Sequence, residues 1–211
     1  MRPSLAAVLN EVAAGRFPAA DGGVTILPQP SPRDAGVIGL TAHAVIFIDA
    51  DPAWVAALLP PGDLSGPLTP AFLQDLCRQT GRRAHSVDVL ATAAPLPGSP
   101  PVDLVPAGPG HPRIARARHY RDDVRAWQAD GGVVLIGRGV GGRWETAIEV
   151  DPGRRGRGLG RRLAAAARYL VPGGAPLWAQ VAPANAASMR AFLAAGFVPV
   201  GAEALLTTNP G

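Results

Sequence analysis

Residues 151–161 read Asp-Pro-Gly-Arg-Arg-Gly-Arg-Gly-Leu-Gly-Arg, and no other stretch says more about the fold of this 211-residue chain. They follow an alternating run over 144–150, which predicts a strand, and precede an alanine-rich run over 163–170, which predicts a helix. Glycines let backbone amides approach a ligand, a helix start offers unpaired donors, and arginines add charge. The stretch therefore predicts an anion site, and the expected ligand carries phosphates.

The spacing of the glycines excludes two common phosphate-binding motifs. A P-loop needs a lysine, whereas all 20 residues in the Lys+Arg count are arginines. Residues 137–142 read Gly-Arg-Gly-Val-Gly-Gly and match the dinucleotide-binding pattern Gly-x-Gly-x-x-Gly. That pattern requires a helix next, but the residues that follow are strand-like, so we interpret these glycines as a hairpin turn.

Two further motifs, taken in order, resemble a known family. Residues 155–160, Arg-Gly-Arg-Gly-Leu-Gly, fit the pattern Arg/Gln-x-x-Gly-x-Gly/Ala. Residues 185–197 begin with Asn, continue as a helical pattern and end in Gly-Phe. The pair resembles the coenzyme A pyrophosphate loop and the second signature of the GNAT N-acetyltransferase family. The resemblance covers about residues 106–205, is specific over 144–197, and implies an α/β fold with a central mixed, mostly antiparallel, twisted sheet flanked by helices.

The resemblance also implies how coenzyme A is bound. The pantetheine is expected alongside the strand that ends at Val150, with the Val150 amide toward the thioester oxygen. The pyrophosphate is expected at the loop that follows, with arginines as charged partners. The residues expected to contact the coenzyme are Val150, Arg155, Gly156, Arg157, Gly158, Leu159, Gly160, Arg161 and Asn185.

Acetyl transfer to an amine needs a general base, and two glutamates are candidates. Glu145 and Glu149 lie four residues apart on the predicted strand, so they share one face. A carboxylate near this strand is the family's common solution, and Glu149 is preferred because it is closer to the expected thioester. The alternative is that both glutamates belong to a solvated strand face.

The general acid is the largest departure from the family pattern. Many members have a tyrosine four residues before the Gly-Phe helix end, and this chain has Phe192 there. A thiol is a tolerable leaving group without an acid, because its pKa is about 8.5. Ser188, one helical turn earlier, is a substitute donor or a coenzyme contact, and Asn185 can cap its helix as well as contact the coenzyme.

Composition limits the remaining function classes. A single cysteine, Cys77, argues against a disulfide framework and favours a cytoplasmic location. No apolar run is long enough for a membrane span, and no His/Cys or Asp/Glu cluster predicts a metal. The net charge is +4, but five arginines lie around one turn, which suits a small polyanion better than nucleic acid.

A second basic run is not explained by coenzyme binding. Arg113, Arg116, Arg118 and Arg121 have spacings that could form an arginine face on a helix. The alternative is an ordinary solvated helix surface.

Four regions are expected along the chain. Residues 1–35 hold one short helix and an irregular segment, and 36–94 form an α/β region that supplies the family's first strand and helices or is a degenerate second copy. Residues 95–112 are rich in Pro and Gly and predict a linker, with a boundary near residue 105. Residues 113–211 hold the coenzyme-binding region, where only a short final strand fits unless the N-terminal half replaces it.

Together these observations predict an acetyl-CoA-dependent N-acyltransferase that works by direct attack in a ternary complex. A small amine is favoured as the acceptor over a peptide amine, no nucleic-acid or membrane partner is expected, and a homodimer is compatible with the sequence. Two alternatives stay open: a non-catalytic acyl-CoA-binding module, and a basic nucleic-acid-binding protein.

Overall fold

The computed structural model describes residues 3–60, 62–108 and 110–208, which fall into two compact units. The first unit comprises Met1–Leu90 and Val200–Gly211, and the second comprises Ala91–Pro199. The chain thus enters the second unit once and returns to the first for its last residues.

The first unit is a mixed sheet with three helices. Its strand order is β1-β3-β2-β10-β4; β1 and β3 are parallel, while β2 is antiparallel to both β3 and β10. The elements are α1 (Leu5–Ala13), β1 (Val24–Leu27), β2 (Ala35–Leu40), β3 (His43–Phe47), α2 (Pro52–Ala57), α3 (Pro70–Thr80), β4 (Arg83–Ala93) and β10 (Val198–Thr207).

Two helices of this unit begin at the same local pattern, a polar cap residue followed by proline. The Asp51 side chain accepts a hydrogen bond from the amide of Ala53, and Pro52 is the first residue of α2. Thr69 caps α3 through the amide of Phe72 in the same way. An acceptor side chain followed by proline therefore fixes both starts.

The second unit is a mostly antiparallel sheet covered by helices. Its strand order is β4-β9-β8-β7-β6-β5; neighbours from β5 to β8 are antiparallel, and β8 and β9 are parallel. The elements are β5 (Val105–Pro106), α4 (Pro112–Tyr120), β6 (Asp122–Ala129), β7 (Gly132–Arg138), β8 (Trp144–Val150), α5 (Leu159–Ala167), β9 (Leu177–Val181) and α6 (Ala186–Ala194). The predicted fold class, a mixed and mostly antiparallel sheet flanked by helices, is confirmed.

The two faces of this sheet carry different helices. One face packs on α5 and α6 through a cluster that includes Leu163 and Phe192. The other packs on α4, where Ile114 and Ala117 contact Leu135 and Ala147. Because side chains alternate along a strand, β8 turns Ile148 and Val150 toward α5, and turns Ala147, together with Glu145 and Glu149, toward α4.

The segment predicted as a linker over 95–112 belongs to the second unit. The amide of Leu96 donates to the carbonyl of Arg168, and Val105–Pro106 pair with β6. The division between the units lies after Leu90, not near residue 105. The high proline and glycine content of this segment indicates an irregular backbone, but it does not indicate that the segment belongs to the second unit.

Two strands differ from the expectations. The segment over 1–35 contains β1, which the surrounding Pro and Gly residues hid. The last strand is not short, since β10 has 10 residues and pairs with β2. A Cβ at Gly201 would overlap the backbone of Gly39, so glycine permits the close approach of these strands.

Candidate active site

The loop after β8 presents an uncapped helix end. Gly158 precedes α5 with a left-handed φ of 78°, and no side chain caps the helix. The amide of Arg162 donates to the carbonyl of Gly158, so the amides of Leu159, Gly160 and Arg161 lie before the first intrahelical bond. These donors, with the positive end of the helix dipole, are suited to binding an anion.

Three glycines at this helix end have two different structural roles. Gly156 and Gly158 both have left-handed φ, and a Cβ at either would meet nothing within 4 Å, so it is the backbone conformation, not space, that favours glycine there. A Cβ at Gly160 would lie 3.7 Å from Ala191 and from Val150, an ordinary contact. Gly160 therefore packs α5 closely against β8 and α6, and alanine would fit in its place.

The five arginines of the loop do not have equivalent positions. Arg154 donates to both carboxylate oxygens of Asp130, at 2.7 and 2.6 Å. Arg155 donates from Nε to the carbonyl of Val150 at 3.2 Å. A cavity of about 200 Å³ beside the helix end is lined by Val102, Asp103, Asp130, Arg154, Arg157, Leu159 and Arg162. Arg161 is exposed on the first turn of α5.

Strands β8 and β9 pair only at their beginnings among the described residues. Trp144 is opposite Leu177 and Glu145 is opposite Trp178. At the other end of β8, the amide of Asp151 donates to the carbonyl of Gly131, on the β7 side. Because donors alternate along an antiparallel strand, the Val150 amide points to the opposite edge, toward β9. The bond from Arg155 to the Val150 carbonyl agrees with this orientation.

Glu145 is enclosed by donors. It is 2% exposed, and its carboxylate accepts from Arg121 Nε at 2.8 Å and from Arg143 Nε at 2.9 Å. The amide of Val140 and the side-chain amide of Gln180 also donate to it. Burial alone would raise the pKa of Glu145. The charges and hydrogen bonds of Arg143 and Arg121 lower it by more than burial raises it, so the pKa lies below the ordinary 4.5.

The surroundings of Glu145 favour a structural role over a catalytic one. A carboxylate with a lowered pKa and several donors is a weak proton acceptor. A Cβ at Gly139 would overlap this carboxylate, so that glycine makes room for it. The Gly-rich segment over 137–142 is the hairpin turn that we predicted, and the strand β8 follows it.

Glu149 has the opposite environment. It lies on the same face of β8 and is exposed, and its side chain makes no hydrogen bond or ion pair with another described residue. Arg113 on α4 is close enough for its charge to interact with that of Glu149. Of the two candidate bases, Glu149 is the one that is accessible to a substrate.

The second motif is positioned by its own cap. Asn185 Oδ1 accepts from the Ser188 amide at 3.0 Å, so Asn185 is the N-cap of α6. Ser188 is half-buried one turn before Phe192. The Phe192 ring is 5% exposed and packs edge-to-face on Phe197, so the position of the family's tyrosine belongs to the core.

Several site residues were missed by the sequence reasoning. No sequence pattern indicated Arg143 and Gln180, which both donate to Glu145, or Asp130, which accepts from Arg154. Arg121 carried a usable signal as the last member of the basic run over 113–121.

Other chemistry-bearing features lie elsewhere or are lacking. His43, in the first unit, hydrogen bonds to Thr25 and Asp21. Among residues 3–60, 62–108 and 110–208, no group of His, Cys, Asp or Glu side chains could hold a metal ion. Within the same part of the chain, no helix is long and apolar enough to cross a membrane.

Comparisons with known proteins agree with the two motifs. The sequence profile described as "Acetyltransferase (GNAT) family" matches residues 115–197. No curated protein sequence gives a match to this chain.

Similar solved structures include three acetyltransferases. A GCN5-related N-acetyltransferase from Kribbella flavida is 18% identical, with a TM-score of 0.42 over 66% of this chain and 64% of that one. One from Sphaerobacter thermophilus is 16% identical, with a TM-score of 0.41 over 67% and 57%. An acetyltransferase of the GNAT family from Colwellia psychrerythraea is 13% identical, with a TM-score of 0.39 over 64% and 60%. The match thus spans less than two thirds of each of these chains.

The matched residues run from α4 to the end of the second motif, and they include the uncapped helix end, both glutamates and the cap of α6. Residues 115–197 of this chain therefore belong to the acetyltransferase (GNAT) family.

Proposed function

We propose that this protein is an acetyl-CoA-dependent N-acetyltransferase that moves an acetyl group to an amine by direct attack in a ternary complex. The single observation that carries the proposal is the uncapped start of α5 behind two left-handed glycines, directly after β8. This arrangement offers backbone donors and a positive dipole to a pyrophosphate. The family match over 115–197 makes coenzyme A the expected carrier of that pyrophosphate.

The proposed coenzyme site extends from the loop along β8. The pyrophosphate binds the amides of Leu159, Gly160 and Arg161, with Arg157 as a charged partner. The pantetheine follows the C-terminal half of β8, where pairing with β9 has ended. The Val150 amide points toward that gap and donates to the thioester oxygen as negative charge develops on it.

The proposed reaction transfers one acetyl group, and the acceptor nitrogen loses two protons, of which one ends on the sulfur and one in the solvent. Glu149 removes a proton from the ammonium form of the acceptor, directly or through water, and the free amine nitrogen attacks the thioester carbonyl carbon. The new C–N bond forms as the C–S bond breaks, and the nitrogen loses its second proton. The thiolate leaves and takes up one proton, so the products are an acetamide and free coenzyme A.

The proposed site offers only a weak general acid. Phe192 has no proton to donate, and Ser188 remains the candidate donor on α6. Because a thiolate is a tolerable leaving group, the reaction does not depend on that donor.

The acceptor in this proposal is a small amine, with a peptide amine second. The loop arginines are concentrated at one helix end, which favours a small polyanion over nucleic acid or a membrane surface. The single cysteine supports the cytoplasm as the proposed location.

A non-catalytic acyl-CoA-binding module is the second candidate, and the burial of Phe192 against Phe197 is the observation that favours it. Both candidates predict coenzyme binding. Only the enzyme predicts thiol release in the presence of amines.

Calorimetric titration with acetyl-CoA, paired with thiol release on an amine panel, tests both candidates. Gly158→Glu should abolish binding, because it places a carboxylate at the pyrophosphate. Gly158→Ala carries the same backbone strain without the charge, and Gly153→Glu carries the charge at a position with open space and no left-handed φ. Both controls should bind. Equal affinity for all four proteins would refute the coenzyme site.

A further inference from the structure

Arg113 occupies the same layer of the molecule as Glu149. Helix α4 covers the face of the sheet to which Ala147 and its neighbours turn. Ile114 and Ala117 form the contact, which brings the adjacent arginines of α4 to the border of that face. Of the basic run over 113–121, Arg113 is half-buried and Arg121 bonds to Glu145 of β8, whereas Arg116 and Arg118 are exposed.

The geometry places Arg113 at the level of Glu149. At the C-terminal end of α4, Arg121 is bonded to Glu145. From Arg121 back to Arg113 the chain covers about 12 Å along the helix direction. From Glu145 forward to Glu149 it covers about 13 Å of strand. Arg121 lies against Glu145 and the charge of Arg113 interacts with that of Glu149, so the two elements run in opposite directions and Arg113 faces the Glu149 end.

The guanidinium of Arg113 has unused donors. Arg113 is half-buried, and among the described residues its side chain makes no hydrogen bond or ion pair. Burial lowers the pKa of Arg113, the charge of Glu149 opposes this, and the nearby charges of Arg121 and Arg116 add to the lowering. A guanidinium has five donors and always carries charge, so partial burial without an acceptor is costly.

A ligand can provide the missing acceptor. Arg121 shows what the same helix does when an acceptor is available, since it bonds to Glu145 and to Gln180. The carboxylate whose charge acts on Arg113 is that of Glu149, which is not within bonding distance of it. The site thus combines a cation and a separate carboxylate, the complement of a molecule with one anionic and one amino group.

We propose that the acceptor is a small amine that also carries an anionic oxygen group, a carboxylate or a phosphate, bound by Arg113 while its amino nitrogen faces Glu149. The inference rests on the proposed function for the role of Glu149. It names the substrate class of that site. A guanidinium binds such groups through two parallel hydrogen bonds, which also orients the nitrogen for attack.

The test uses matched pairs of probes. Amino acids of increasing chain length and aminoalkyl phosphates are each compared with the amide or aminoalcohol of equal length, which keeps the amine and removes the charge. Thiol release gives kcat/KM for each probe. Wild-type protein should prefer the charged members by about tenfold to a hundredfold, and the arm with the larger ratio identifies carboxylate or phosphate.

Three variants separate the proposal from a general charge effect. Arg113→Gln should remove the preference, because the charged and the neutral member of each pair then lack the same partner. Arg113→Lys should restore only part of it, because an ammonium lacks the paired donors. Arg116→Gln is the control: Arg116 is exposed on the same helix and stacks on Tyr120, so the preference should persist. A preference that survives in Arg113→Gln, or its absence in the wild type, would overturn the proposal.

A second readout distinguishes the failure of this inference from that of the proposed function. The same probes are titrated calorimetrically into protein saturated with free coenzyme A, where no transfer can occur. Charge-selective binding that is lost in Arg113→Gln, without thiol release from acetyl-CoA, supports the anion site and refutes the enzyme. Thiol release without charge selectivity supports the enzyme and refutes the anion site. No binding of any charged probe also refutes the anion site.

Discussion

Glu145 and Glu149 are the same residue type on the same face of one strand, and their surroundings differ completely. Glu145 is buried among donors from Arg121, Arg143, Val140 and Gln180. Glu149 is exposed and has no bonded partner among the described residues. The difference follows from the neighbouring elements, because β9 pairs with β8 only at the Glu145 end. One end of β8 is closed by protein groups, and the other is open to a ligand.

The largest effect is expected at the Glu145 end of β8, which protein groups close. Glu145→Ala should lower the free energy of unfolding by about 3–5 kcal/mol, because two arginines lose their common carboxylate in a buried position. Glu149→Ala, on the same face, should change it by less than about 0.5 kcal/mol. Urea unfolding of both variants measures the two values. Equal losses would mean that the two glutamates do not differ as described.

The next largest effect is expected at the Glu149 end of β8, which is open to a ligand. Glu149→Gln should lower kcat for amine acetylation about a hundredfold, because an amide cannot accept the amine proton. Affinity for acetyl-CoA, measured by calorimetry, should be unchanged, since the side chain lies on the α4 face and the coenzyme loop lies beyond Val150. A variant with wild-type kcat would remove Glu149 as the base.

A pH experiment sharpens the comparison for Glu145. Its folded-state pKa lies below the ordinary value of 4.5, so its contribution to stability is complete above that value and is lost as pH falls through the folded pKa. The wild type should exceed Glu145→Gln by about 2 kcal/mol at neutral pH, and the gap should close in acid. Unfolding curves between neutral pH and the acid limit measure it. A gap that widens below pH 4.5 would contradict the sign.

The smallest effect compares the two ends of α4. Arg121→Lys should cost about 1 kcal/mol of stability, because lysine keeps the charge but cannot bond to Glu145 and Gln180 with the same geometry. Arg113→Lys should cost less than about 0.5 kcal/mol, since Arg113 has no bonded partner to lose. Thermal unfolding of this pair provides the measurement, and a larger loss in Arg113→Lys would reverse the comparison.

Local signals allowed much of this molecule to be predicted. The glycine and arginine pattern over 155–160 identified the helix end that the structure shows, and the cap residues Asp51 and Thr69 fixed two helix starts. The strand alternation also placed Glu145 and Glu149 on one face. Each of these features depends on residues within one turn or one strand of each other.

What could not be predicted depends on long-range packing. The enclosure of Glu145 needs Arg121 from α4 and Gln180 from β9, which no local pattern relates to it. The strand β1 and the pairing of β10 with β2 were hidden in the same way, since strand partners distant in sequence leave no periodic signal. A strand pattern predicts the face of the sheet on which a side chain lies, but not how deeply the side chain is buried.

The contact of Arg154 with the β6–β7 turn has a consequence for the entropy of ligand binding. Arg154 is held by Asp130, and its side chain lies so close to Gly131 that a Cβ there would overlap it. Arg155 is held by the Val150 carbonyl. Ordering a flexible side chain on binding costs about 0.5–1.5 kcal/mol, and these two are ordered beforehand. The contact with the turn thus preorganises the loop, so ligand binding restricts fewer side-chain torsions and costs less conformational entropy.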